Sequence, residues 1–498
     1  MIVRNEASQL AACLDSVANL FDEIVIVDTG STDETRTIAR RYTQHVHDFA
    51  WNDDFSAARN EALRLSSGEW IFWLDADDRL SAENAVRLKD VLGGLDGQPS
   101  VYLLDTICRT ASCNELERVI THPRLFKRHP VLSWRRRVHE QLHPWPGSLG
   151  YEVKFCDVVI DHLGYQKTDI LQRKRHRNLR LLRMEYAVNP DDLDTLLDLG
   201  TAYTKRGSFA QARRFFEDYL RVAPRYSAER QRVFVSLAEL AMQEGRFQEA
   251  IEVTQQGLAI LKDDEHLAYL QAEACYQLGN CRKAEAILTQ IIHAPERERR
   301  LLNGQPCDIQ QRLAPLALGE VLRMQRAYAA AEIVLRNLAE RTGNDGVPWQ
   351  FLGRVYVDTG EQGKFEGVLE RLTHCDRGEL FAKTLRISWE MLRGDVESAQ
   401  RLATEVIALV PEMPLPRQLL AQCLERRGVP TTDLQRAYRD VLRVQPGNPT
   451  ALAAIQRLER GQTWLERVPR RTNEDGRQDE YGRTVYFVAN STVSTANV

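Results

Sequence analysis

A 34-residue spacing between glycines constrains the fold of this chain more than any other feature of its sequence. Gly245 and Gly279 are 34 residues apart, and Gly360, Gly394 and Gly428 follow one another at the same interval. Alanine recurs five positions after Gly245, Gly279 and Gly394 and after Arg326, which lies 34 residues before Gly360 (Ala250, Ala284, Ala399, Ala331). Small residues allow helices to cross closely, and glycine suits the turn between two helices. The second half of the chain is therefore predicted to be a series of helical hairpins.

This period resembles that of the tetratricopeptide repeat, an all-α solenoid. The resemblance implies seven hairpins at 193–226, 231–264, 265–298, 312–345, 346–379, 380–413 and 414–447, followed by a capping helix over 448–460. Residues 299–311 interrupt the register and are predicted to form an inserted loop. Such an array presents a concave surface, which is expected to hold a polypeptide, a partner protein or a second subunit in a homodimer.

Composition excludes several other classes of protein. The 66 basic and 70 acidic residues give a net charge of −4, which provides no general attraction to nucleic acid or to an anionic membrane. No run approaches the length of a transmembrane segment, and the first residues lack the apolar core of a signal peptide. Nine scattered cysteines with no Cys-x-x-Cys favour a reduced, cytoplasmic protein. Cys108 and Cys113 are only weak evidence for a metal site or a disulfide.

Residues 1–165 have a different pattern, in which short apolar runs alternate with helical spacing. Residues 23–28 and 69–75 are predicted to be buried strands, and residues 35–42 and 56–65 are predicted to be helices. Ser31 or Thr32 is the expected N-cap of the first helix. This order predicts a mostly parallel α/β sheet with a ligand site beyond the ends of its strands, where Asp28 and Asp75 both fall.

Asp75 and Asp77 form an Asp-x-Asp pair directly after a predicted strand. Two such carboxylates can hold Mg²⁺ or Mn²⁺ together with phosphate oxygens. An aspartate that caps a helix, followed by a solvated turn, would explain the same residues. The pair alone therefore does not decide between a metal site and a turn.

Four segments that occur in a fixed order along the chain favour the metal site over the turn. Residues 3–6 (Val-Arg-Asn-Glu), 26–33, 55–62 and 68–78 closely resemble the inverting nucleotide-sugar glycosyltransferases of family two, which have the GT-A fold. The resemblance covers about residues 1–165 and implies a Rossmann-like N-terminal domain. Beyond it we expect a helical linker at 166–192, the repeat array at 193–460 and, because the chain becomes polar and charged after Gly461, a flexible tail at 461–498. The first strand of that family begins several residues before the Arg-Asn-Glu segment, so here the strand is either clipped or the natural start lies further upstream.

The resemblance also implies roles in binding a donor, expected to be a UDP-sugar. Asp28 would accept a hydrogen bond from the base, Arg59 would reach the base or the phosphates, and Asp75 would contact the ribose. Asn5 and Glu6 would line the base pocket, although turn-forming or capping duties explain them almost as well. A surface salt bridge is the alternative for Arg59.

Metal and catalytic residues are implied in the same way. Asp77 and His162 would ligate a divalent cation (Mn²⁺ or Mg²⁺), with a domain-boundary hydrogen bond as the alternative for His162. Residues 122–127 and 134–140 resemble the acceptor side of such enzymes. Glu140 is the candidate general base, and Asp78 is its competitor. His139 is expected to orient the site, and residues 135–137 would either clamp phosphates or form an exposed basic edge.

Two functions remain open at this point. The first is a metal-dependent inverting glycosyltransferase, which transfers a hexosyl group from a nucleotide sugar to a peptide or protein held by the repeats, or builds a polysaccharide or glycolipid. The second is a repeat scaffold whose transferase-like domain is inactive. The basic residues 173–177 are interpreted as a solvated linker face, with transient contact to anionic lipid as the alternative.

Overall fold

The computed structural model describes residues 1–110, 118–165, 168–227, 229–295, 301–302, 305–306 and 308–461. These residues form two compact units, the first built mainly of residues 1–219 and the second mainly of residues 220–295 and 308–461. Cys113 and the tail after residue 461 lie outside the described residues. No described helix is both long enough and apolar enough to cross a membrane.

A three-stranded parallel sheet opens the first unit. Its strands are β1 (Ile2–Val3), β2 (Ile26–Asp28) and β3 (Val46–Asp48), in that order across the sheet. The register places Val3 beside Asp28 and Asp28 beside Asp48. Ile26 and Val27 are fully buried, which is why this short apolar run forms a central strand. Asp28 thus lies at the carboxyl edge of the sheet, as predicted.

A second sheet corrects the prediction of a mostly parallel arrangement. It contains β4 (Trp70–Phe72), β5 (Asp78–Arg79), β6 (Ser100–Thr110), β7 (Arg118–Lys127) and β10 (Glu152–Tyr165), in the order β4-β7-β6-β10-β5. Only the β6–β10 pairing is parallel, and the other three are antiparallel. The strand before Asp75 therefore pairs with β7 and not with β2. A separate hairpin joins β8 (Ser133–Arg135) to β9 (Gln141–His143).

Four helices accompany these sheets: α1 (Leu10–Asp15), α2 (Thr35–Ala39), α3 (Phe55–Leu65) and α4 (Ala82–Gly93). The predicted N-cap of α2 was wrong, because the helix begins at Thr35 with Glu34 at the N-cap position. Ser31 and Thr32 instead bind polar groups of the site. The N-cap of α3 is Asp54, whose carboxylate accepts a hydrogen bond from the Ala57 amide.

Three further helices belong to the first unit or begin in it. They are α5 (Thr168–Val188), α6 (Leu193–Lys205) and α7 (Phe209–Val222). Gly200 on α6 is a close-packing position, since a β-carbon there would come within 2.4 Å of the Phe216 ring on α7. This contact explains why a small residue is needed at this position of α6.

The second unit consists mainly of paired helices. They are α8 (Arg230–Gln243), α9 (Phe247–Ile260), α10 (Glu265–Gln277), α11 (Cys281–His293), α12 (Ala314–Met324), α13 (Tyr328–Arg341), α14 (Gly346–Thr359), α15 (Gln362–Leu372), α16 (Gly378–Arg393), α17 (Val396–Leu409), α18 (Pro414–Arg426), α19 (Thr431–Val444) and α20 (Pro449–Glu459). Each predicted hairpin span contains two helices, and α20 falls where the capping helix was expected. The interrupting segment includes β11 (Leu301–Leu302), β12 (Gln305–Pro306) and a short π-helix at Ile309–Leu313, and its other residues before Asp308 lie outside the described chain. An α/β region followed by helical repeats confirms the predicted fold class.

Candidate active site

The end of β2 provides a buried carboxylate. Asp28 is 1% exposed, and its oxygens accept hydrogen bonds from the Ser31 amide at 3.1 and 3.2 Å and from the Ser31 hydroxyl at 2.5 Å. The Arg36 guanidinium lies 3.6 Å from the same carboxylate. These contacts hold Asp28 rigidly where a base-binding acceptor was predicted.

Asn5 and Glu6 follow β1 and border the same loop. Asn5 has a left-handed backbone (φ 56°), and its side-chain oxygen accepts a hydrogen bond from the Thr32 amide at 2.8 Å. Its backbone N–H donates a hydrogen bond to the Ser31 hydroxyl at 2.9 Å. Asn5 therefore links the loops after β1 and β2. Burial, together with the negative charges of Asp77 and Asp75, raises the pKa of Glu6 to about 7. Both residues therefore lie at the predicted site, and Asn5 also has the turn-forming role that was its alternative.

The loop after β4 is closed by reciprocal hydrogen bonds. The Asp75 amide donates to Asp78 Oδ2 at 2.9 Å, and the Asp78 amide donates to the Asp75 carbonyl at 3.1 Å. Asp78 is completely buried, and the same Oδ2 accepts a hydrogen bond from Arg124 Nη1 at 2.9 Å. Its other oxygen lies 2.9 Å from His162 Nδ1. Asp78 is thus a structural centre of the loop, with both oxygens engaged.

Asp77, Asp78 and His162 form a group that could hold a cation, since one ligand atom from each lies within 4.8 Å of the others. The antiparallel pairing of β5 with β10 creates this group by placing His162 opposite Asp78. Asp77 Oδ1 is 3.6 Å from His162 Nδ1, and Asp77 Oδ2 is 3.3 Å from Lys174 Nζ. Burial lowers the pKa of His162, but the hydrogen bond with Asp78 and the charge of Asp77 outweigh it and raise that pKa above its usual value.

Arg59 on α3 links the donor loop to the candidate base. Its Nη2 donates to Asp75 Oδ1 at 2.9 Å, and its Nε donates to Glu140 Oε1 at 2.8 Å. The guanidinium carbon lies 4.3 Å from the centre of the Trp73 ring and 5.3 Å from that of Trp134. Burial favours the neutral form of Asp75, yet Arg59 is the main group that holds the pKa of Asp75 well below its usual range. Arg59 is therefore a buried bridge and not the surface salt bridge that was its alternative.

The segment before Glu140 is attached to α3 through its backbone. The Phe55 amide donates to the Arg137 carbonyl at 3.0 Å, and the Ser56 hydroxyl donates to the Arg136 carbonyl at 2.6 Å. The Arg137 side chain lies near Glu185, and Arg136 binds Asp198. Of the predicted basic edge at 135–137, Arg135 is exposed, whereas the other two arginines are paired.

Three groups near the site were missed or misplaced by sequence reasoning. Arg124, assigned to the acceptor side, is 2% exposed, binds Asp78 and lies 3.9 Å over the Trp73 ring. Lys174 was assigned to a solvated linker face but contacts Asp77, and Arg177 lies 4.7 Å over the Phe55 ring. Asp198 on α6 had no local signal at all. Helical spacing places Lys174 and Arg177 on one face of α5, which is the only signal that could have grouped them.

Comparison with known proteins agrees with this division of the chain. The model of the Glycosyl transferase family 2 matches residues 1–145, and two Tetratricopeptide repeat models match residues 197–265 and 241–301. The chain is 30% identical over 265 residues to a TPR repeat-containing protein of Synechococcus elongatus, covering 52% of this chain and 64% of that protein.

Two curated transferases are also similar. The SPbeta prophage-derived glycosyltransferase SunS of Bacillus subtilis is 27% identical over 208 residues, which are 40% of this chain and 47% of that one. A PGL/p-HBAD biosynthesis glycosyltransferase of Mycobacterium bovis is 31% identical over 165 residues, which are 30% of this chain and 62% of that one. The chain thus spans about half to two thirds of the length of these relatives. A solved tetratricopeptide repeat protein from Parabacteroides merdae aligns with 51% of this chain and 95% of its own, with 15% identity and a TM-score of 0.42.

Proposed function

Starting from a chain with a family 2 glycosyl transferase domain at residues 1–145 and tetratricopeptide repeats at residues 197–301, we propose that the protein is a metal-dependent inverting glycosyltransferase. It would transfer a hexosyl group from a nucleoside diphosphate sugar, with UDP-sugar as the favoured donor. The observation that carries the proposal is the Arg59 bridge, which places the donor-side carboxylate Asp75 and the candidate base Glu140 on one guanidinium.

Donor binding is assigned to the loops after β1, β2 and β4. Asp28 would accept a hydrogen bond from the base, because its carboxylate is held at the edge of the parallel sheet by Ser31. Asn5 and Glu6 border this pocket, and Asp75 would contact the ribose. Arg59 would stay within reach of the phosphates, although its present contacts are to carboxylates. The whole constellation lies within the segment matched by the family model.

The residues around Asp77 fit a divalent cation. Carboxylate oxygen and imidazole nitrogen form a donor set that Mn²⁺ and Mg²⁺ accept. Asp77 and His162 would hold the ion, and Asp78, whose oxygens already bind Arg124 and His162, would orient the imidazole. When bound, the ion would neutralise charge on the departing nucleoside diphosphate.

Glu140 is the better of the two candidate bases. Its side chain is 13% exposed, whereas Asp78 is completely buried and has both oxygens engaged. Oε1 of Glu140 already accepts the hydrogen bond from Arg59. We therefore assign Oε2 as the atom that takes the proton from the nucleophile of the sugar acceptor. Arg59 would orient the carboxylate through its hydrogen bond while the oxygen, nitrogen or sulfur of the sugar acceptor attacks the anomeric carbon.

A polypeptide is the acceptor class that the repeats favour. Helical hairpins bury their apolar faces against their neighbours and leave a continuous surface that suits an extended chain or a helix. Remote contacts of this kind can supply binding energy that positions the nucleophile of the acceptor.

A panel of nucleotide sugars with Mn²⁺, scored for donor hydrolysis by the full chain, tests the proposal. Asp77→Asn should lower turnover by about two orders of magnitude or more, and chelator should abolish activity until Mn²⁺ is restored. Glu140→Gln should lower kcat and leave nucleotide affinity nearly unchanged, whereas Asp28→Ala should weaken nucleotide binding. The exposed Asp96→Asn is a matched control and should behave like the parent. Full activity in chelator would exclude the metal role, and no hydrolysis of any donor by the folded parent would contradict the transferase proposal.

A further inference from the structure

The turn that carries Glu140 is held by helices that follow the matched transferase segment. Residues 136–140 connect β8 to β9, and two of them contact α6, which belongs to the same compact unit. The role of this contact for Glu140, as inferred below, rests on the proposed glycosyltransferase function.

The backbone of this turn is strained. Arg136 has φ 81° and His139 has φ 56°, both in the left-handed region that residues other than glycine adopt uncommonly, arginine less often than histidine. Such residues cost of order 1–3 kcal/mol each and persist only where the surroundings fix them. His139 directly precedes Glu140, so relaxation of its backbone would move the Glu140 carboxylate.

One carboxylate binds both strained residues. Asp198 Oδ2 accepts a hydrogen bond from Arg136 Nη2 at 2.7 Å and lies 2.9 Å from His139 Nδ1. Burial raises the pKa of Asp198, but the hydrogen bond from His139 and the charge of Arg136 outweigh it and lower that pKa below its usual value. The adjacent Arg137 amide donates to Glu185 Oε2 on α5 at 3.2 Å. The turn is thus held from α3 through its backbone and from α5 and α6 through acidic side chains.

We propose that Asp198 is a positioning residue for Glu140. By binding Arg136 and His139 together, it keeps the turn in the strained conformation in which Glu140 meets Arg59. A displacement of about 1 Å at a catalytic group can cost about a hundredfold in rate. The first helix of the repeat region therefore completes the catalytic centre, and residues 1–165 alone do not contain every group that the chemistry needs.

Substitution of Asp198 tests this in the full chain. Asp198→Asn keeps the shape and removes the charge that Arg136 and His139 share, and it should lower kcat of donor hydrolysis about 10- to 100-fold with nucleotide affinity changed less than about twofold. Asp194→Asn, one turn earlier on α6, is the matched control and should leave kcat unchanged. Asp198→Glu should recover part of the loss, because a carboxylate is restored.

A double-mutant cycle separates positioning from general destabilisation. If Asp198 acts through Glu140, Asp198→Asn should lower kcat in the parent but not in the Glu140→Gln background. Hydrogen exchange of the amides of residues 136–140 should be faster in Asp198→Asn than in Asp194→Asn, whether or not a donor has been found. Equal loss in both backgrounds, or unchanged exchange and unchanged kcat, would overturn the inference. Faster exchange in Asp198→Asn, together with a parent chain that hydrolyses no donor, would support the positioning contact and contradict the transferase function.

Discussion

Replacement of Arg59 by methionine should destabilise the first unit more than any exposed charge change. Methionine preserves the apolar contact with Trp73 and Trp134 but removes the charge between two carboxylates. Asp75 and Glu140 would then be left in a poorly solvated position without their common partner. The expected result is a large loss of stability and a rise in the pKa of Asp75.

The size of the loss follows from the contacts. Removing one partner of a buried ion pair costs about 3–5 kcal/mol. The Asp75 side chain is 34% exposed, so solvent screening reduces its share. Loss of the cation–π contacts with Trp73 and Trp134 adds about 0.5–1 kcal/mol. A net loss of about 3–4 kcal/mol corresponds to a Tm about 6–16 °C lower for a unit of this size.

Tryptophan fluorescence during thermal unfolding is the appropriate assay, because five of the eight tryptophans lie within residues 1–145. Arg64→Met on the same helix is the control, since its ion pair with Glu61 is exposed and should contribute less than about 0.5 kcal/mol. The triple variant Arg59→Met, Asp75→Asn, Glu140→Gln should recover at least half of the lost stability, because no carboxylate is stranded. A single variant as stable as the Arg64 control, or a triple variant no more stable than the single one, would refute this electrostatic account.

Two further predictions concern other charged groups. Lys174→Met should strengthen Mn²⁺ binding about fivefold in the absence of nucleotide, because the Lys174 ammonium lies 3.3 Å from Asp77 Oδ2 and repels a cation there. An Mn²⁺ affinity that calorimetry finds unchanged would contradict this competition. In the second unit, burial and the neighbouring charge of Glu239 raise the pKa of the 7%-exposed Glu273 from 4.5 to about 8. Between these two pH values the folded chain binds more protons than the unfolded chain. The contribution of Glu273 to the free energy of unfolding is therefore fully present below pH 4.5 and is lost as the pH rises through 8. Glu273→Gln should raise the free energy of unfolding by about 4–5 kcal/mol at pH 8.5 and by less than about 1 kcal/mol at pH 5, because one pKa unit corresponds to about 1.4 kcal/mol. An equal effect at both pH values would exclude this origin.

The repeat region is the part of the fold that the sequence alone determined most completely. Its 34-residue period places two helices in each predicted hairpin, because helix pairing there is local and the turn within a hairpin has a glycine in every case except that between α12 and α13, where Arg326 takes its place. Gly200 and Gly319 show why the small residues recur, since a β-carbon at either would come within 2.4 Å of a side chain on the paired helix. The loop at Asp75–Asp78 could also be predicted from the sequence, because its residues are neighbours in the chain.

What the chain could not reveal by itself are the contacts between distant segments. Arg59 and Glu140 are 81 positions apart, and Asp78 and His162 are 84 apart, so no periodicity joins them. The antiparallel pairing of β5 with β10 decides that Asp78 is buried against His162, and it thereby favours Glu140 as the base. The position of α6 beside the Arg136–His139 turn likewise gives Asp198 its contacts. Local spacing specifies which element a residue occupies, whereas long-range packing decides which side chains meet and which of them remain open to a substrate.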